Sequence, residues 1–173
     1  TGKKRFPEFE GEWEEYKTKQ IFKSIVRRAE GGEYEIFSVT KDGIIPQKEY
    51  FKKEIASKNT DNYKVIEFGD FVMSGLNFWM GSVDVYLEEY SGMISPAYKV
   101  YTIKKGFDIS YIKHFVRSFE FNRVLVGSSI LGASIVRRNF DSVAFDNWKL
   151  KLPSLEEQQK IAAVLNRADR EIE

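Results

Sequence analysis

The sequence has no cysteine, which excludes disulfides and thiolate chemistry and fits a reducing compartment such as the cytoplasm. It has one histidine, His114. A lone histidine without cysteine cannot build a common zinc site, and no serine pairs with it as a nucleophile. His114 reads instead as a partly exposed helix residue. No apolar run approaches the roughly 20 residues of a membrane span. The opening "TGKKRFPEF" has no apolar signal-peptide core. A cytoplasmic protein is the expectation. A strong charge of either sign is also missing, since the net charge is +1.

What is present is a foldable composition. The 173 residues are 42% hydrophobic and 15% aromatic, with 14 Phe, 9 Tyr and 3 Trp. That suits one domain with a real core. Charge is unevenly spread. Residues 1–15 carry −2, residues 152–173 carry −2, and residues 16–151 carry +5. The basic middle permits a DNA-facing surface without demanding one.

Signs of catalysis are weak. "GSSILGAS" (Gly127–Ser134) nearly matches a phosphate-binding loop, but Ala133 stands where the lysine is needed, and the loop follows a helix where a strand is required. "SPAY" (Ser95–Tyr98) is faintly similar to a loop of amino-methyltransferases. No glycine-rich loop for a methyl donor accompanies it, and it reads as a turn before a strand with Tyr98 in the core. No spaced carboxylates followed by lysine form a nuclease pattern. The chain is read as non-catalytic, with no cofactor and no metal.

Along the chain, residues 1–16 read as a charged lead-in anchored by Trp13. "YEIFSV" (Tyr34–Val39) is strand, closed by the turn Thr40–Gly43. Pro46–Ala56 fits a short helix opened by Pro46. Tyr63–Ser74 is strand interrupted at Gly69-Asp70. Ser82–Leu87 and Ala97–Ile103 alternate as half-buried strands. Asp108–Val126 takes helical period, capped by Asp108 or Ser110, with Ile112, Phe115, Val116 and Phe119 facing the core. Ser142–Pro153 is extended. Strands precede helices, so the fold class is α+β: a strand-rich domain followed by a long coiled-coil-type helix.

That final helix is the best marked. Ser154 and Glu157 form a capping box. Leu155, Ile161, Leu165, Ala168 and Ile172 make a narrow apolar stripe between charged flanks. No Gly, Asn or Pro closes the far end. The stripe predicts a coiled coil continuing past Glu173, in place of a terminal helix packed on its own domain.

"NWKLKLPSLEEQQKIAAVLN" (Asn147–Asn166) resembles the junction in specificity subunits of type I restriction-modification systems. There a target-recognition domain passes into a conserved-region helix. The match runs through Leu152, Pro153, Leu155, Glu156, Glu157, Gln158, Lys160, Ile161 and Ala162. "RFPEFEGEWEEYK" (Arg5–Lys17), "VIEFGDFVMS" (Val65–Ser74) and "GMISPAYKVY" (Gly92–Tyr101) are similar to other parts of such domains, in order. The resemblance implies a lead-in (1–15), a target-recognition domain (16–151) and the start of a spacer helix (152–173). It implies a reader of one half of a split double-stranded DNA site, docking methyltransferase subunits and, through them, a restriction subunit. It implies helix pairing with a second recognition domain or copy, and catalysis carried by the partners. With one recognition domain present, the chain is an excised fragment or a half-subunit.

Three places offer DNA contacts. In "SGLNFWMGS" (Ser74–Ser82), Ser74, Asn77 and Trp79 are candidates, although Phe78 and Trp79 could equally fold into the core. In "SIVRRNF" (Ser134–Phe140), Arg137 and Arg138 can grip guanine or phosphate, or be a solvated basic pair. In "SVTKDGIIPQK" (Ser38–Lys48), Lys41, Gln47 and Lys48 can hold phosphate. The alternative is a cytoplasmic protein-interaction domain that does not bind DNA.

Overall fold

The computed structural model of the chain describes residues 5–50, 60–134 and 137–172. Strand β1 (Glu14–Lys17) runs through a single turn, α1 (Thr18–Ile21), into β2 (Phe22–Ile25). β3 (Glu35–Thr40) and β4 (Gly43–Pro46) form a hairpin, followed by the one-turn α2 (Gln47–Tyr50). Next come β5 (Lys64–Ile66), β6 (Asp70–Met73), a 3-10 turn (Phe78–Met80), β7 (Val83–Val85), β8 (Gly92–Ile94) and β9 (Lys99–Ile103). Helices α3 (Ile109–Val116) and α4 (Phe119–Gly127) precede β10 (Ser129–Ser134) and β11 (Arg137–Phe140). The chain closes with α5 (Ser142–Asn147), β12 (Lys149–Leu152) and α6 (Leu155–Ile172).

Two four-stranded sheets stack. One has the order β2-β9-β6-β7 and is antiparallel throughout. The other has the order β4-β3-β8-β5 and contains one parallel pair, β3 with β8. Alternation along the strands sets the layers. In β6, Val72 joins Phe37, Ile66, Ile94 and Val100 between the sheets. Its neighbours Phe71 and Met73 face the other way, into the main core under the helices. That core is aromatic: Phe22, Phe71, Phe121 and Phe145 pack with ring centroids 4.8 to 6.4 Å apart. The order of layers is therefore helices, sheet, sheet, and the α+β class holds.

Several elements differ from the sequence reading. Asp108–Val126 is two helices. Asp108 caps the first by accepting from Tyr111 N at 2.8 Å. The Ser118 hydroxyl then caps a second, accepting from Phe121 N at 3.2 Å, as a serine beside a free amide does. The break resets the helical phase: Phe121 is fully buried and Phe119 is 81% exposed, so Phe119 does not face the core. Ser142–Pro153 is not wholly extended, because the Asp141 carboxylate accepts from Ala144 N at 2.9 Å and starts α5. Pro46 ends β4 and does not open a helix; α2 begins at Gln47, and residues 51–56 of the expected helix lie outside the described residues. At Gly69 the positive φ of 85° makes the interruption a tight turn between β5 and β6. The lead-in is not a free linker: β1 pairs antiparallel with β12, from Glu14↔Leu152 to Lys17↔Lys149.

The N-terminus of α6 explains that attachment. The Ser154 hydroxyl accepts from Glu157 N at 3.3 Å, which is half of the expected capping box. The other half is absent because the Glu157 carboxylate is turned to the lead-in. Arg5 Nε and Nη2 both donate to it at 2.7 Å, and Trp13 Nε1 donates at 3.4 Å. Gln158, equally buried, accepts from Asp108 N at 3.0 Å and donates to Pro153 O at 2.9 Å. Beyond Ala162, residues 163–171 are exposed on every side.

Two outcomes test this packing. Phe121→Ala should cost about 3–5 kcal/mol of unfolding free energy, as a large core truncation does. Phe119→Ala should change it by less than about 0.5 kcal/mol, with both read from denaturant melts. The second outcome concerns acid. Arg5, and then Trp13, hold the Glu157 carboxyl below its ordinary value of 4.5. A lowered folded-state value stabilises the fold above that ordinary value, and the contribution is lost as pH falls through the lowered one. The melting temperature of Arg5→Gln should therefore lie below wild type at neutral pH, with the gap closing as pH drops below about 4.

Candidate nucleic-acid interface

The strand registers bring distant loops to one end of the double sheet. In one sheet Phe37, Ile94 and Lys64 are level, and β3 runs on past them to the Lys41-Asp42 turn. In the other, Met73 is level with Lys99 and Val83. The Ser74–Ser82 loop and the Ser95–Tyr98 turn thus leave from the same end. They touch closely: a Cβ at Gly75 would collide with the Ala97 carbonyl oxygen.

Within the loop, roles divide. Ser74 is buried, and its hydroxyl accepts from Leu76 N at 3.3 Å and Asn77 N at 3.1 Å. It shapes the loop from inside. Phe78 is fully buried, with its ring 5.2 Å from that of Phe140. Asn77 is exposed. Trp79 is half-buried at the rim of the main core, and the guanidinium of Arg138 lies 4.4 Å from its ring centroid. Such stacking holds an arginine in place. Arg138 Nη1 donates to Ser129 Oγ at 3.0 Å. Arg138 Nε and Trp79 Nε1 are shielded donors with no acceptor among the described residues.

Beside this stack lies a groove of about 330 Å³, lined by Lys41, Trp79, Met80, Arg117, Phe119 and Asn122 among others, with no carboxylate in its wall among the described residues. Asp84, buried behind it, orders one side. It accepts from Lys113 Nζ at 3.0 and 3.1 Å and from Ile44 N at 3.2 Å, and its Oδ2 is 3.5 Å from Arg117 Nη1. Arg117 Nη2 in turn donates to Lys41 O at 3.1 Å. The turn and the α3–α4 junction are thereby held against each other.

The structure brings Lys41, Trp79 and Arg138 together, with Asn77 on the same loop. Gln47 and Lys48 lie elsewhere. Gln47 Nε2 donates to Ser38 Oγ at 3.4 Å. Lys48 pairs with Glu35, at the opposite end of β3 from Lys41, about 20 Å away at strand spacing. That ion pair, with a hydrogen bond from Tyr90, holds the Glu35 carboxyl below the usual range. Arg137 belongs to β11, but its side chain lies outside the description. Met80, Arg117, Phe119 and Asn122 escaped the sequence reading, because three of them flank the unrecognised helix break. Ser118, three residues before a buried phenylalanine, was the available signal.

On α6, Leu155 and Leu165 are 41% and 38% exposed, and Ala168 is exposed. Ile161 packs against the main core, so this member of the stripe faces the domain. The side chain of Ile172 is outside the description. His114 links the helices: its Nε2 is 2.7 Å from Asn166 Oδ1. Among the described residues, no three His, Cys, Asp or Glu side chains gather as for a metal ion. No described helix is long and apolar enough to cross a membrane.

A family model described as "Type I restriction modification DNA specificity domain" matches residues 10–173. A sequence search of curated proteins finds no match. Among solved structures, the HsdS subunit from Thermoanaerobacter tengcongensis is similar at TM-score 0.62 and 19% identity, covering 99% of this chain and 45% of that one. The S subunit of a type I system from M. genitalium is similar at TM-score 0.56 and 11% identity, covering 91% of this chain and 39% of that one. A chain from a structure of the assembly and conformational transition of a type I system is similar at TM-score 0.56 and 15% identity, covering 99% of this chain and 40% of that one. The chain spans less than half the length of each. At these identities the structures speak to the fold alone, whereas the family match covers nearly every residue: the chain belongs to the type I restriction-modification DNA specificity domains.

Proposed function

We propose that this chain reads one half of a bipartite double-stranded DNA sequence as the specificity subunit, or half-subunit, of a type I restriction-modification complex. It carries no catalytic step of its own; methylation and cleavage belong to partner subunits. The observation that supports this most is the Arg138–Trp79 stack beside a groove that holds Lys41 and Arg117 and, among the described residues, has no carboxylate in its wall. A planar cation held on an aromatic face suits a guanine edge, and the flanking cations suit phosphates. Asn77 offers an amide for adenine. Arg137, Gln47, Lys48 and Ser74 complete the proposed contact set. The last three are already committed to contacts within the chain, and they rank below Arg138.

The chain should bind duplex DNA with an affinity that falls as salt rises. Arg138→Ala should lose about 1–3 kcal/mol on the preferred half-site and less on random duplex. An equal loss on both would assign Arg138 to phosphate, and no binding at low salt by the folded chain would sink the proposal.

The exposed part of α6 is proposed to meet another helix, from a second recognition domain, a second copy or a methyltransferase subunit. Leu155, Leu165, Ala168 and Ile172 form the seam, with Val164 beside it at 52% exposure. Short length and ordering entropy oppose self-association. The chain should sediment as a monomer or weak dimer, and assemble stably when α6 is lengthened or a partner is added. Leu165→Glu should abolish that assembly and leave the melting temperature of the domain unchanged.

A further inference from the structure

A second concentration of positive charge sits at the same end of the double sheet as the groove. The segment after β2 runs beside β5, with Val65 N donating to Arg27 O at 2.8 Å and Arg28 bridging to Lys64 in antiparallel register. Arg28 Nη1 donates to Asn62 O at 2.8 Å. Lys64 Nζ donates to Tyr98 O, the carbonyl just before Lys99. Lys99 itself lies over the ring of Phe140, with Nζ 5.0 Å from the centroid. Phe140 belongs to the strand that carries Arg138, so the second cluster adjoins the Arg138–Trp79 stack.

These three cations differ from the other basic groups nearby. Arg27 has Asp70 and Glu67, and Arg117 and Lys113 have Asp84. Among the described residues no carboxylate forms an ion pair with Arg28, Lys64 or Lys99. Two of them are fixed by carbonyls and one by an aromatic face, so the cluster is held in place but not neutralised. Like charges so gathered repel, and an anion arriving between them relieves the repulsion. Burial first, and then Lys99 and Arg28, press the Lys64 ammonium below its ordinary value.

We propose that Arg28, Lys64 and Lys99 form a phosphate-binding site for the DNA backbone, separate from the groove that faces the bases. This rests on the DNA-reading function proposed above. The site takes phosphodiesters of any sequence, because two of its three cations are ammoniums and the third, the Arg28 guanidinium, is tied through Nη1 to the Asn62 carbonyl. It lets the domain hold the duplex on both sides of the Arg138–Trp79 stack.

The test is the dependence of duplex affinity on salt, measured with one half-site duplex and one random duplex. Wild type is compared with Arg28→Gln and with Arg28→Gln plus Lys99→Gln. Arg28 is exposed, so the single variant separates binding from any folding effect of losing Lys99 from Phe140. Lys151→Gln, on β12 beside Glu12, is the control. Each lost phosphate contact should make the slope of log affinity against log salt shallower by about 0.9, equally on both duplexes, with the control unchanged. DNA binding with an unaltered slope in both variants overturns this site and leaves the recognition function standing. A change confined to one duplex makes the cluster a base reader and overturns the phosphate assignment. A folded wild type that binds neither duplex overturns both proposals together.

Discussion

Two adjacent polar side chains, Glu157 and Gln158, are each 1% exposed at the start of α6, and the packing of the whole chain turns on them. Burying a charge is costly unless it is paired and fully hydrogen-bonded. Glu157 finds that in Arg5 and Trp13, both from the lead-in. Gln158 finds it in the amide that precedes α3 and the carbonyl that precedes α6. Meeting both demands brings the lead-in, α3, β12 and α6 to one point. The pairing of β1 with β12 follows, and so does the direction in which α6 leaves the domain. The stretch that resembles specificity subunits most closely, Leu152 to Ala162, contains these two residues. Leu152, Pro153 and Ala162 are buried beside them, so the motif is a packing instruction as much as a family mark.

Asp84 plays a comparable part at the other side of the domain. A single buried carboxylate gathers Lys113, Arg117 and the amide of Ile44, and through Arg117 it reaches the Lys41 turn. Groove geometry therefore depends on a residue that does not line the groove. Rigid support behind a contact surface is what lets a few side chains discriminate between bases, since a loosely held arginine gives up much of its advantage as ordering entropy.

The class of the fold and the elements with clear periodicity were legible: the β3–β4 turn, β9, the Asp108 cap and the final helix. What escaped was decided by contacts distant in sequence. β1 and β2 lie in charged segments whose pattern does not announce strand, and β1 exists because β12 pairs with it. β10 and β11 hold residues read only as a failed phosphate loop and a basic pair. The helix break at Ser118 is a local signal overlooked because the apolar spacing runs through it. Phe115 and Phe119 look like one face until the cap shifts the phase. The candidate site was legible as three loops; that Lys41, Trp79 and Arg138 converge follows from sheet register, which no local pattern carries. The separation of Lys48 from Lys41 follows from the same register.

Because β1 and β12 are antiparallel neighbours, the chain enters and leaves the double-sheet body side by side, with facing Cα atoms about 4.5–5.5 Å apart. Everything between Thr18 and Trp148 hangs from this two-stranded stem, which Thr18 N also closes by donating to Trp148 O at 2.9 Å. A body on such a stem is topologically an insertion: its interior can change in sequence or loop length while the geometry presented to the flanking segments stays the same. The stem thus separates two kinds of change. On the proposed function, substitutions in the loops at the sheet end would alter what is read, and substitutions at the stem and the start of α6 would alter where the domain is held.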